Sequence, residues 1–120
     1  MRDREQKMLD LVEQCYEYET KLEQLRVDRA EVQDRYRQIY YRYVKEVALA
    51  TDERGKRIYS NEALRRAEVS LRLAQDEEAT GLQERLRELS SEADQIMREI
   101  NRLRSRLDIL KQFAGHQDVA

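Results

Sequence analysis

The sequence has no proline and no tryptophan, and among its 120 residues it has one cysteine, one phenylalanine and three glycines. Because proline breaks helices and glycine weakens them, their scarcity favours long helices over a mixed fold. A lone Cys15 allows no internal disulfide, so we expect a reducing, cytoplasmic setting. No apolar run approaches the roughly 20 residues of a membrane-spanning helix, and we expect no membrane association.

Residues that commonly carry catalysis or bind cofactors are equally scarce. The one histidine is His116, and the sequence has no His-Glu-x-x-His, no Cys-x-x-Cys and no phosphate-binding glycine loop. Cys15 falls on an apolar helix face, where cysteine behaves as a small hydrophobic residue. We therefore predict a protein that is not an enzyme and that uses no cofactor, no metal and no small-molecule substrate.

Charged residues are abundant, at 40% of the chain, but the net charge is only −2. Such a composition is also found in disordered chains. Here, however, apolar residues recur at alternating steps of three and four, which is the a/d pattern of a coiled coil. The first half carries this seam at Met8, Leu11, Cys15, Tyr18, Leu22, Leu25, Val32, Tyr36, Ile39 and Tyr43, with Arg29 as a charged member. The second half carries it at Leu64, Ala67, Leu71, Ala74, Leu82, Leu86, Leu89, Ala93, Ile96, Ile100, Leu103, Leu107 and Leu110.

The two seams predict a long antiparallel helical hairpin that forms a single all-α domain over residues 1–114. We expect a helix at 3–50, a turn at 51–60, a helix at 61–112 and a flexible tail at 115–120. Gly55 provides the backbone freedom for the reversal, and Ser60 is a suitable N-cap for the second helix. The seams face each other when paired residue numbers add up to about 111, and half of that sum falls at Gly55.

The second helix has one irregular stretch. Leu71 and Leu82 are eleven residues apart, which is a stutter that locally unwinds a supercoil. A break near Asp76, with that residue acting as a new N-cap, is the alternative to a continuous helix.

Near the turn the sequence has more apolar residues than one seam needs. They are Tyr40, Tyr41 and Val44 on the first helix and Val69 and Leu73 on the second. One interpretation is a locally wider hairpin core. The other is an oligomer interface, at which two hairpins dimerise into a four-helix arrangement.

The turn itself is rich in charge. Its basic residues are Arg54, Lys56, Arg57, Arg65 and Arg66, with Tyr59 among them. Cations with an interleaved aromatic ring can hold a phosphate backbone and stack a base, so nucleic-acid binding is one hypothesis. A solvated surface of ion pairs is the other interpretation. The neighbouring acids Asp52 and Glu53 resemble the acidic tip of the Gre-type coiled-coil fingers, which implies a third hypothesis, a factor that enters the secondary channel of RNA polymerase.

The segment from Thr51 to Glu62, followed by Arg65 and by Leu71-Arg72-Leu73-Ala74-Gln75-Asp76, resembles a pattern in short uncharacterised coiled-coil proteins of bacteria and phages. That pattern is approximately D-x-x-G-K-x-x-Y-S-N-E, then R-L-x-x-D. The resemblance covers about a quarter of the chain and implies an accessory protein of phage or mobile-element type. We therefore expect a non-enzymatic interaction protein that binds a protein partner in DNA metabolism.

Overall fold

A computed structural model describes the backbone of residues 2–118 and the side chains of residues 3–113. Within that range the chain is an all-α helical hairpin with helices α1 (Arg2–Leu49), α2 (Glu62–Gln75) and α3 (Glu77–Asp118). The first helix and the turn lie within about two residues of their predicted bounds, whereas α3 continues beyond the predicted end at 112. The predicted tail at 115–120 and the side chain of His116 fall outside the described side chains.

The chain divides into two compact units. The terminal unit combines Met1–Asp28 with Leu89–Ala120, and the turn unit is Arg29–Glu88. In each unit, a stretch of α1 packs against a later helical segment that runs in the opposite direction.

The core of the terminal unit is a short apolar seam. Leu11, Cys15 and Leu103 form its buried cluster, against which the half-buried side chains of Tyr18, Leu107 and Leu110 pack. All six residues are predicted seam positions, so the coiled-coil pattern is confirmed here. At the edge of this seam, the Arg104 guanidinium donates a 2.7 Å hydrogen bond to the Glu19 carboxylate.

The turn unit is built around buried aliphatic residues from all three helices. Ile39 and Val47 come from α1, Val69 from α2 and Ala79 from α3, and each is at most 6% exposed. Arg29, the charged member of the predicted seam, is exposed to solvent.

The register of the hairpin differs from the predicted one. Cross-hairpin contacts in the turn unit join Tyr36 to Gln83 and Tyr43 to Asp76, pairs whose numbers add up to 119. In the terminal unit, Leu103 clusters with Leu11 and Cys15, not with the predicted Met8. The pairing is thus displaced by about one heptad from the predicted sum of 111. A heptad shift brings the same a and d faces together, so periodicity alone could not choose between the two registers.

The second helical segment is interrupted at Asp76, as one of the two sequence interpretations predicted. The backbone of Asp76 is extended (φ −84°, ψ 114°), so this residue ends α2 and stands immediately before α3. Its N–H donates to the Leu73 carbonyl at 3.2 Å, and its own carbonyl accepts the N–H of Thr80 at 3.0 Å. The backbone of Asp76 therefore forms one hydrogen bond with the end of α2 and one with the start of α3.

Candidate functional site: the loop and the polar network of the turn unit

The segment between α1 and α2 folds as a miniature β-hairpin. Thr51 and Arg57 form an antiparallel bridge, and the N–H of Asp52 donates to the Lys56 carbonyl at 2.7 Å. The N–H of Gly55 donates to the Asp52 carbonyl at 3.0 Å, and Gly55 has a φ of 78°. A three-residue loop closed by a left-handed glycine is a common hairpin connection, so Gly55 has the predicted role.

The carboxylate of Asp52 holds this loop together. Its Oδ1 accepts the backbone N–H groups of Arg54 and Lys56, both at 2.9 Å. Aspartate commonly bonds to the backbone just ahead of it in this way, and the bonds fix the turn. Asp52 is therefore a loop-building residue, although it is exposed. Glu53, the other acid of the polymerase-channel hypothesis, is exposed and has no hydrogen bond or ion pair among the described residues.

The start of α2 is capped by Asn61, not by the predicted Ser60. The Asn61 side chain accepts the N–H of Leu64 at 2.9 Å from an extended backbone (φ −132°, ψ 164°). Just above the cap, the Arg65 guanidinium donates to the Tyr59 carbonyl at 3.2 Å. Asparagine and serine are both good N-caps, so composition alone could not separate them.

Asp76 is also the centre of a polar network that the sequence analysis did not foresee. Its Oδ2 accepts a short hydrogen bond from the Tyr43 hydroxyl, and its Oδ1 accepts the Ala79 N–H at 2.8 Å. The Arg42 guanidinium lies 3.6 Å away, and the Asp76 side chain is only 13% exposed. The Tyr43 hydroxyl, the Ala79 N–H and Arg42 lower the pKa of Asp76, while its partial burial opposes them. The same hydrogen bond raises the pKa of Tyr43.

Ion pairs extend this network along the contacts of α1 with α2 and with α3. Arg72 donates to Glu68 at 2.9 Å and lies 3.5 Å from Glu46 of α1. Glu68 and then Tyr59 raise the pKa of Arg72. Arg35 forms a two-pronged pair with Glu78 at 2.6 and 3.1 Å. The i,i+4 spacing of Glu68 and Arg72 was a visible signal for one of these pairs, but the contacts with α1 depend on the register.

α2 is consequently rotated about its own axis relative to the prediction, so that a different side of the helix faces α1. Its half-buried or buried side facing α1 carries Arg65, Glu68, Val69, Arg72 and Leu73. The predicted seam residues Leu64, Ala67, Leu71 and Ala74 are exposed, with Leu64 at 48% and Leu71 at 52%. Their assignment to the hairpin seam was wrong, because Val69 and the polar network occupy the α1 contact.

The basic residues of the turn separate into two groups. Within the described side chains, Arg54, Lys56 and Arg57 are exposed and have no carboxylate within ion-pair distance. Arg66, by contrast, pairs with Glu62 at 2.6 Å, and Arg65 is bound to the Tyr59 carbonyl. Three of the five predicted cations thus face solvent without a partner.

Apolar side chains are exposed beside these cations. Ile58 is 52% exposed and Leu49, at the end of α1, is 60% exposed. The backbone N–H of Ile58 donates to the Ala50 carbonyl at 3.0 Å, so its position is fixed against the helix end. The loop therefore presents an apolar side chain whose backbone is hydrogen-bonded to the end of α1.

The five residues predicted as an oligomer interface differ in exposure, and Tyr40, Val44 and Val69 line one groove. Tyr40, Tyr41 and Val44 are exposed on α1, and the two tyrosine rings meet edge to face at 5.4 Å between centroids. Val69 is only 6% exposed and Leu73 is half-buried, so both belong largely to the interior of the turn unit. A shallow groove brings Tyr40 and Val44 of α1 together with residues of α2.

Metal sites and membrane-spanning segments are two further kinds of functional feature. Among the described residues, no group of three or more His, Cys, Asp and Glu side chains is placed to hold a metal ion. Within the same part of the chain, no helix is long and apolar enough to cross a membrane. Comparisons with protein-family models, with curated proteins and with solved structures found no significant match for this chain.

Proposed function

We propose that this chain is a non-enzymatic, cytoplasmic interaction protein that presents the loop at residues 50–61 to a protein partner. The motif residues support this proposal because their polar groups form hydrogen bonds within the loop itself. Asp52 bonds the loop backbone, Gly55 closes it and Asn61 caps α2. A loop stabilised by this many specific bonds is a preorganised surface, and preorganisation lowers the entropy cost of binding.

The single observation that carries the proposal is the exposed Ile58. An apolar side chain that is 52% exposed, with its backbone bonded to the end of α1 and the unpaired Arg57 next to it in the chain, favours a partner with an apolar pocket and acidic residues around it. We place that partner in DNA metabolism of phage or mobile-element type, on the resemblance of the turn segment alone.

Site-specific photo-crosslinking in the source cells tests this function. A benzoylphenylalanine at position 58 should capture one discrete protein, and Ile58→Asp should abolish the co-purification of that protein. Position 9 is the matched control, because Leu9 is exposed to a similar degree, 58%, on the terminal unit. Retention of the partner by Ile58→Asp, or its equal loss with Leu9→Asp, would overturn the proposal.

A second candidate function is nucleic-acid binding by the unpaired cations Arg54, Lys56 and Arg57. Their Gln triple variant should weaken the binding of single-stranded DNA. It should also lower the slope of log affinity against log salt by about 2, since each phosphate contact contributes about 0.7. A triple variant of equal charge change, at the exposed and equally unpaired Arg87, Arg98 and Arg106, is the control. Unchanged DNA binding at low salt in the turn variant would remove this candidate.

Self-association into a dimer belongs to the same proposal. It is supported by the exposed apolar residues Tyr40, Tyr41 and Val44 on α1 and by the outward-facing Leu64 and Leu71 on α2. The polymerase-channel factor receives less support, because Asp52 is bound within the loop.

A further inference from the structure

The outer face of α2 is uncharged, although 40% of the chain is charged. The exposed residues of this face are Ala63, Leu64, Ala67, Ser70, Leu71 and Ala74. At 100° per residue they span less than half of the helix circumference. A helix of a soluble protein normally shows its charged side to water and its apolar side to the core. In α2 the inward side carries Arg65, Glu68 and Arg72 beside Val69 and Leu73, while the outer face is uncharged. The outer face is therefore suited to a contact that the isolated chain does not make.

The charged side chains of α2 already form ion pairs or hydrogen bonds within the chain. Glu68 pairs with Arg72 and Arg65 bonds to the Tyr59 carbonyl. At the edge of the outer face, Arg66 and Glu62 neutralise each other at 2.6 Å. A second molecule that approaches this face therefore meets little net charge, and a copy of the same face would not be repelled.

The order of large and small residues indicates which molecule fits. The stripe reads Leu64, Ala67, Leu71, Ala74 at steps of three, four and three. In an antiparallel pair of α2 helices related by a two-fold axis, Leu64 stands opposite Ala74 of the second copy. Ala67 then stands opposite the leucine at position 71, and every leucine fills the space above an alanine. A parallel pair would instead stack leucine on leucine and leave voids between alanines, which close packing disfavours.

We infer, on the basis of the self-association proposed above, that a second copy of this chain covers this stripe, with the two α2 helices antiparallel. The pairing is isologous, as most two-fold dimers are. A 14-residue helix is only about 21 Å long, and a stable interface buries about 1,200 Å² or more. The contact therefore continues onto α1 through Tyr40 and Val44, which share a groove with Ser70 at the edge of the stripe.

Sedimentation over a range of protein concentrations tests the contact. The wild type should dimerise reversibly, and Leu71→Glu should raise the dimer dissociation constant at least tenfold, because it places a carboxylate opposite an apolar stripe. Helix content by circular dichroism should be unchanged, since Leu71 is exposed in the single chain. The control Leu9→Glu should dimerise normally. A dimer that survives Leu71→Glu overturns the α2 contact but not self-association, whereas a monomer at every concentration overturns both.

Disulfide trapping tests the direction of the pairing, in a Cys15→Ala background. In the antiparallel pair, Ser70 lies within about 3 Å, measured along the axis, of its own copy, but Ala63 lies about 18 Å from its copy. Oxidation should therefore link the Ser70→Cys variant much faster than the Ala63→Cys variant, because a separation of about 18 Å exceeds the roughly 7 Å between Cα atoms that a disulfide allows. Equal linking of both variants would indicate a parallel pair and overturn the inference, as would a dimer in which neither links.

Discussion

The Tyr43 hydroxyl of α1 donates a hydrogen bond to the carboxylate of Asp76, the residue that separates α2 from α3. The carboxylate that receives this bond also accepts the N–H of Ala79 in the first turn of α3. One contact thus ties α1 to the point where α2 ends and α3 begins. It also links the register of the hairpin to the place of the break.

Removal of the Asp76 carboxylate should destabilise the turn unit. Asp76→Ala deletes the cap of α3 and leaves the Tyr43 hydroxyl without its acceptor. We expect the thermal midpoint to fall by several degrees in a calorimetric scan. Glu77→Ala, at the exposed neighbouring position, is the control and should have a much smaller effect. Equal effects of the two substitutions would contradict this role of Asp76.

The same contact predicts a dependence of stability on pH. The lowered pKa of Asp76 means that its contribution is present above the unfolded pKa of aspartate, about 3.9, and is lost as the pH falls through the folded value. The raised pKa of Tyr43 means that its contribution is present below the unfolded pKa of tyrosine, about 10, and is lost as the pH rises through the folded value.

Urea denaturation of the wild type and of Tyr43→Phe at several pH values would measure this dependence. The stability difference between the two proteins should be largest at intermediate pH. It should shrink as acid protonates Asp76 and as alkali ionises Tyr43. A difference that is constant from acid to alkali would show that the hydrogen bond is not formed in solution.

Two glycine substitutions should have opposite signs. Gly55 has a φ of 78°, so Gly55→Ala should destabilise the fold by about 1 kcal/mol through the backbone alone. A Cβ at that position would have no atom within 4 Å, so no steric clash adds to the cost. Gly81 lies inside α3 with equally open space around it, and Gly81→Ala should stabilise the protein by about 0.5–1 kcal/mol. Urea unfolding curves that shift both variants in one direction would be inconsistent with these backbone conformations.

Leucines of the two faces should respond differently to truncation. Leu89 is 1% exposed and Leu71 is 52% exposed. In dilute protein, Leu89→Ala should cost about 2–5 kcal/mol of unfolding free energy, as buried leucines generally do. Leu71→Ala should change it by less than about 0.5 kcal/mol, since surface substitutions rarely do more. A large cost at Leu71 in dilute solution would show that α2 packs with the stripe inward, as the sequence pattern predicted.

The turn motif shows how sequence patterns and structural roles correspond. Gly55 was assigned to the reversal because glycine gives the backbone freedom that a turn needs, and the structure shows it with a φ of 78°. Asp52 was interpreted as a possible contact to a partner, yet it bonds to Arg54 and Lys56 in its own loop. A carboxylate in a turn can either contact a partner or bond to its own loop. Only the path of the backbone decides which N–H groups the carboxylate reaches.

The sequence by itself determined the helical class, the α1 and α3 seam positions such as Leu11 and Leu103, and the reversal at Gly55. These follow from local rules, because a 3-4 repeat has only one compatible secondary structure and the loop needs a positive φ. The tertiary structure alone decided the heptad register, the rotation of α2 and the network around Asp76. Those choices depend on contacts between residues far apart in the chain. A repeating seam assigns nearly equal energy to registers that differ by seven residues, so the Tyr43–Asp76 bond and the ion pairs of Arg72 select among them.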